Sequence, residues 1–369
     1  MRDAKASLFS DLCMEEKEVG KDKDKNKDTT VYNIVDSVKG GCGKTTFAIM
    51  LSLMLDNYLR GDSNNDETAS CLIDMDIQGS ALMYLLFGKT YLDSEQNRKT
   101  FRFLNDRVLA VEDTVMKYVQ KFHFTKEKKT LPKPRFDVIC CDPRSESKKK
   151  FRSMSSQNYS PEVLYSTFRM GLANMLSNIK KQMPYQHKQI IFDMPPNADG
   201  YSDAVYDVML KKDYSVIEKD DDCNLFLMQT LDQGQCQATL DYFKELSASE
   251  NFENLNKIFF VFNDWLGFTN GGKEDMMQFS GAVSYARDYI SSNCGWAEEL
   301  QEKIYFIGLE FNQAYYRLCT QTDGIQNAEM PVGLKSPVKY IQNFFKEEFP
   351  LTDKQLKKLL GINEEKSGV

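Results

Sequence analysis

Eight consecutive residues, Lys39-Gly40-Gly41-Cys42-Gly43-Lys44-Thr45-Thr46, bring three glycines, two lysines and two hydroxyls into one short run. Chemistry on a polyphosphate needs that set. Several backbone N–H groups must turn toward the phosphate oxygens, and residues without a bulky Cβ let the chain wrap closely enough. Lys44 would reach the β- and γ-phosphates, Thr45 would offer its hydroxyl to Mg²⁺, and a helix starting near Lys44 would aim its positive end at the α/β-phosphates. The apolar stretch Val31-Tyr32-Asn33-Ile34-Val35 just upstream reads as the strand that delivers the loop. Strand, glycine loop and helix in that order predict a nucleotide-phosphate cradle.

Two later stretches place carboxylates where such a cradle uses them. Cys71-Leu72-Ile73-Asp74-Met75-Asp76-Ile77-Gln78-Gly79 is a short apolar strand ending in two acids, and Gln189-Ile190-Ile191-Phe192-Asp193-Met194-Pro195-Pro196 is another ending in one. Open parallel sheets bind ligands at the carboxyl ends of their strands. Taken alone, a pair of acids at a strand end also describes a solvated turn. A third strand, Ile258-Phe259-Phe260-Val261-Phe262-Asn263, closes on an asparagine, an ordinary turn residue when it stands by itself.

Val38 occupies the place where the common phosphate loop has its first glycine, and Lys39 follows it directly. The sequence Lys-Gly-Gly-x-Gly-Lys-Thr-Thr resembles the deviant Walker A loop of the ParA/MinD partition-type ATPases (the SIMIBI group). Asp74 to Gly79 resembles that family's Asp-x-Asp-Pro-Gln-Gly element, with Ile77 in place of the proline, and Asp193 to Pro196 resembles its Asp-x-Pro-Pro segment. The resemblance spans roughly residues 30 to 345, including the strand Ile304 to Gly308, a helical stretch Asn312 to Thr320 and a glycine-containing turn Gly324 to Val332.

The resemblance implies a slow, partner-stimulated hydrolysis of ATP with Mg²⁺, in a homodimer that sandwiches ATP at its interface. It assigns Lys39 to the partner's phosphates across the dimer, Lys44 to the transferring phosphoryl group and Asp76 to the attacking water. Gly40, Gly41, Cys42, Gly43, Lys44, Thr45 and Thr46 would cradle the nucleotide and Asn263 would contact adenine. Thr45 and Asp193 would hold the metal, Asp193 through a water, with Asp74 in its neighbourhood. The implied partners are a stimulating ParB-like protein and non-specific DNA, and the implied role is plasmid, chromosome or mobile-element partitioning.

Alternating elements support that frame: strands at 31–36, 70–74, 136–143 and 189–193, and helices at 44–59, 79–87 and 161–182. Such alternation specifies an α/β fold, a doubly wound mostly parallel sheet with helices on both faces. Residues 1–29, where lysine and aspartate nearly alternate, read as a disordered or partner-binding arm; 30–350 form the ATPase domain, with an insertion at about 88–135 of unassigned function; 351–369 form a tail or helix.

The chain has 369 residues, 41% hydrophobic and 27% charged, enough apolar mass for one large core. Nine cysteines form no Cys-x-x-Cys pair, which fits a reducing cytoplasm. His123 and His187 have no Cys or His partner at ligand spacing, so no zinc site is expected. No stretch approaches a membrane span. A net charge of −7 weighs against a broad DNA footprint, although the cluster Lys148 to Arg152 offers a local one. The segment Lys354 to Ile362 has basic and apolar residues at helical spacing, as a MinD-like membrane helix would, but its leucines are few. Two other readings stand beside partitioning: an ATP-binding scaffold of a mobile-element or defence assembly, and a metabolic relative such as an iron-carrying reductase subunit, for which Cys140-Cys141 are poorly spaced.

Overall fold

The computed structural model describes residues 30–60, 70–77, 82–89, 93–94, 103–104, 118–124, 135–144, 160–182, 189–196, 200–211, 221–249, 255–263, 273–294, 298–309, 323–328, 338–345 and 359–360. Among the described residues nine strands make one sheet: β1 Val31–Asp36, β2 Ser70–Asp74, β3 Val119–His123, β4 Arg135–Ile139, β5 Gln189–Asp193, β6 Asp222–Gln229, β7 Lys257–Asn263, β8 Ile304–Leu309 and β9 Val338–Asn343. Their order is β3-β4-β2-β5-β1-β6-β7-β8-β9. Pairing is parallel from β4 through to β8, whereas β3 and β9 add to the two edges antiparallel. The strand sequences are nearly continuous apolar runs because parallel strands covered on both faces have no solvated side.

Side chains alternate between two cores. Tyr32, Ile34, Cys71, Ile73, Ile190, Phe192, Leu225, Leu227, Phe260 and Phe262 point to one face. Helices α3 Pro161–Gln182, α4 Gly200–Leu210, α5 Gln233–Ser249 and α6 Lys273–Asn293 cover it. Val35, Leu72, Ile191, Phe226, Met228, Phe259 and Val261 point to the other, under α1 Lys44–Arg60 and α2 Leu82–Phe87. A short helix α7, Glu298–Glu302, leads into β8. The strand period of two thus separates the helices into two layers.

The central strand β1 has β5 on one side and β6 on the other, so the chain changes direction across the sheet there. A crevice opens at the carboxyl edge of such a switch point. The loop between β1 and α1 sits at it.

The structure departs from expectation, or extends it, at several points. β4 stops at Ile139 rather than running to 143, because the Cys141 N–H turns to the Asp74 carboxylate at 3.3 Å instead of continuing the ladder. The expected insertion contains β3, which pairs with β4 through stacked Phe122 and Phe136. Helix 79–87 is described only from Leu82. The arm 1–29, the lysine clusters near 126–129 and 148–152, and the helical stretch 312–320 lie outside the described residues. Of the C-terminal segment, Leu360 packs into the core on the α1 side, and its carbonyl accepts from Gln189 Nε2 at 3.4 Å. No described helix is long and apolar enough to cross a membrane.

Candidate nucleotide-phosphate site

β1 ends in Asp36, and the chain then turns through Ser37 to Gly43 into α1. Gly41 and Gly43 have φ of 82° and 90°, a left-handed backbone that glycine adopts without strain. Gly40 has no such conformation; a Cβ there would lie 3.8 Å from Pro196, ordinary contact. That proximity puts the Asp193-Met194-Pro195-Pro196 segment against the glycine loop. Lys39 and Gly40 are exposed, while Cys42 is buried with its thiol toward the Lys39 carbonyl at 3.3 Å.

Lys44 is buried, and its Nζ donates to Ser37 Oγ at 2.6 Å; that hydroxyl in turn donates to the Lys39 carbonyl at 2.8 Å. The loop therefore closes on its own lysine, with two ammonium N–H groups left to face a phosphate. Asn263, at the end of β7, donates from Nδ2 to the Cys42 carbonyl at 2.8 Å and so braces the loop from below.

The acids come together by register. Val35 pairs with Asp193, and Asp74 pairs with Asp193. Asp36, Asp193 and Asp74 thus line the carboxyl edge of three adjacent strands. All three are buried, with Asp76 partly exposed at the rim. The Asp74 carboxylate accepts backbone N–H groups on both oxygens, from Asp76 at 3.1 Å and from Cys141 at 3.3 Å, and so shapes the turn that carries Asp76. Ile77 is buried in the core, where it anchors that turn.

Asp193 differs. Burial pushes its carboxyl up to about 7; the Thr45 hydroxyl and the Lys44 ammonium pull it back, and Asp76 and Asp36 push it further. Its Oδ1 is buried without a hydrogen-bond partner. An orphaned buried acceptor beside a threonine hydroxyl suits a small, hard cation that takes its other ligands from phosphates and water. Thr45 and Asp193 therefore fit Mg²⁺. No group of three or more His, Cys, Asp or Glu residues is placed to hold a metal ion among the described residues.

Sequence reasoning did not single out Ser37, the seat of Lys44, or the carboxylate of Asp36 with its two tyrosines, Tyr206 and Tyr242. An aspartate closing an apolar strand just before the glycine loop was the available signal for Asp36; nothing in the sequence pointed to the tyrosines. Cys140 and Cys141 are fully buried, and burial pushes the Cys140 thiol well up, which argues against a cluster held between two subunits at this pair.

No family model and no curated protein matches the sequence. Solved structures do. One is apo McdA from Cyanthece, at 16% identity over 80% of this chain and 92% of that one, TM-score 0.46. Another is a plasmid partition protein from Borrelia burgdorferi bound to AMPPNP, at 15% identity over 82% and 92%, TM-score 0.44. A third is the septum site-determining protein MinD from Pyrococcus horikoshii with Mg-ADP, at 13% identity over 82% and 100%, TM-score 0.40. The chain is similar to proteins of the ParA/MinD group. At these identities and TM-scores the likeness does not assign an activity, and the site's own residues carry the functional reading.

Proposed function

We propose that this protein is a ParA-like ATPase whose nucleotide state controls dimerisation, acting in DNA partitioning. One observation carries the reading: Lys44, Thr45 and the unpartnered Oδ1 of Asp193 converge beneath the left-handed Gly41–Gly43 turn at the carboxyl edge of β1 and β5.

The loop N–H groups and Lys44 bind the phosphates and counter the charge that builds on the transferring phosphoryl group. Thr45, and Asp193 through a water, would hold Mg²⁺, whose positive charge would offset that of the phosphates. Asp76, at the rim and tethered to Asp74, orients the water. Asp74 acts in the metal's neighbourhood through that turn. Lys39, exposed on the loop, reaches the phosphates of a second copy, and Asn263 holds the loop while facing the base. The Pro195-Pro196 segment, whose Pro196 lies beside Gly40, transmits the γ-phosphate's presence toward the helix that begins at Gly200. Slow turnover raised by a ParB-like partner, a cytoplasmic setting and non-specific DNA as the surface complete the proposal.

Light scattering with ADP and with ATP·Mg²⁺, on wild type and Asp76→Ala and with duplex DNA at two salt concentrations, tests it. The expected result is an ATP-dependent dimer that takes up DNA, trapped by Asp76→Ala and prevented by Lys39→Ala. A molecular mass that ignores nucleotide refutes the switch. A dimer that never joins DNA moves the surface to protein or membrane.

A further inference from the structure

Asp36 has no task in the chemistry above, yet it is a carboxylate only 2% exposed at the root of the phosphate loop. Burying it carries a desolvation cost that an apolar residue would not incur. Both of its oxygens are used. Oδ1 accepts from the backbone N–H of Ser37 at 2.6 Å. Oδ2 accepts from Tyr206 Oη at 2.5 Å and from Tyr242 Oη at 2.8 Å.

Its three donors come from three elements. Ser37 belongs to the loop and seats Lys44 Nζ. Tyr206 belongs to α4, which begins at Gly200, a few residues beyond Pro195-Pro196. Tyr242 belongs to α5, which follows β6 on the other side of β1. The side chain of Asp36 points to the face that α4 and α5 cover, while its backbone leads into the loop over α1. One carboxylate therefore ties the seat of the phosphate-binding lysine to the helix that begins at Gly200. Phenylalanine would fill either tyrosine's volume. The hydroxyls add direction, because charge-assisted hydrogen bonds to one oxygen fix both the carboxylate rotamer and the helix that donates.

We propose that Asp36 is a positioning residue: held by Tyr206 and Tyr242, it sets the Ser37 seat of Lys44 and couples the phosphate loop to α4. Displacing α4 withdraws the Tyr206 hydroxyl, frees the carboxylate to rotate and lets the Ser37 seat drift. Rotation of the loop has the reverse effect on α4. This rests on the ATPase reading.

The test measures steady-state ATP hydrolysis, MgATP affinity and thermal stability for full-length wild type, Tyr206→Phe, Tyr242→Phe and the double variant. Hydrogen exchange on the wild type, nucleotide-free and with MgATP, accompanies it. Expected are a fall in kcat of about ten-fold for Tyr206→Phe with KM little changed, because aim matters most in the transition state, a further fall in the double variant, and slower exchange in 200–210 with MgATP. Variants that melt earlier but keep wild-type kcat make the trio a purely structural contact and overturn the inference. So does exchange in 200–210 that MgATP leaves unchanged, a measurement that stands even where the variants fail to fold. A wild type that neither binds nor hydrolyses MgATP refutes the ATPase reading itself and takes the coupling with it.

Discussion

Replacing Asp193 with asparagine keeps the side chain's shape and removes its charge, and the site predicts that this stabilises the metal-free protein above neutral pH. The carboxyl titrates near 3.8 in an unfolded chain and is pushed up to about 7 in the fold. Below about pH 4 both states hold the proton and the group costs nothing. Between 3.8 and about 7 the unfolded chain ionises while the folded protein keeps its proton, so stability falls steadily as pH rises, and above about 7 the loss is complete. At about 1.4 kcal/mol per pH unit the whole window is worth on the order of 4 kcal/mol. Asp36 is raised in the same direction by burial and is coupled to Asp193, so removing the Asp193 charge also eases Asp36 and adds to the variant's gain.

Urea unfolding of wild type and Asp193→Asn in EDTA, at several pH values from about 5 to 8, reads that difference directly. The variant is expected to gain on the wild type as pH rises, by about 3 kcal/mol across the range. On the proposed reading saturating MgATP should narrow that gap: at a hundred-fold excess over Kd a ligand adds about 2.7 kcal/mol to a protein that binds it, and Asp193→Asn would lack the carboxylate that helps hold the metal. A difference that is flat with pH, or a variant less stable than wild type at pH 8 without metal, would refute the assignment of Asp193 as a carboxylate held in reserve for a cation. Function then retains a group that the apo fold alone would discard.

Lys44→Ala removes the ammonium seated on Ser37 and should weaken MgATP binding about 10- to 100-fold by calorimetry. It should also steepen the stability loss at high pH, since Asp193 and Asp36 lose their nearby cation. Asn263→Ala leaves the Cys42 carbonyl without its donor and is expected to cost about 1–3 kcal/mol in urea unfolding, with a fall in nucleotide affinity. Gly324→Ala places a Cβ 2.3 Å from the Gly88 backbone nitrogen at a residue with φ of 85°, so a loss of about 3 kcal/mol or more in the same assay is expected.

Much of the frame was legible in the chain. Apolar runs bounded by glycine or acids gave β1, β2, β5, β7 and β8 nearly to the residue, because a strand buried on both faces admits little else. The helix Pro161–Gln182 was equally plain. β6, β3 and β9 were not read as strands; β3 and β9 mix polar with apolar residues as an edge does, and an edge is defined only by what it pairs with.

The same division runs through the site. Sequence alone determined the glycine loop, Lys44, Thr45 and the acids that close two strands, because phosphate and cation chemistry demand particular residue types at fixed local spacing. Tertiary structure decided which acid is left with a bare oxygen and which is absorbed by backbone N–H groups: Asp193 keeps a bare Oδ1 while Asp74 is spent on Asp76 and Cys141. It also decided that Asn263 braces the loop and that Tyr206 and Tyr242 reach Asp36. Those partners lie some 170 to 220 residues apart along the chain, and only strand register and helix layering, not local spacing, bring them within hydrogen-bond reach.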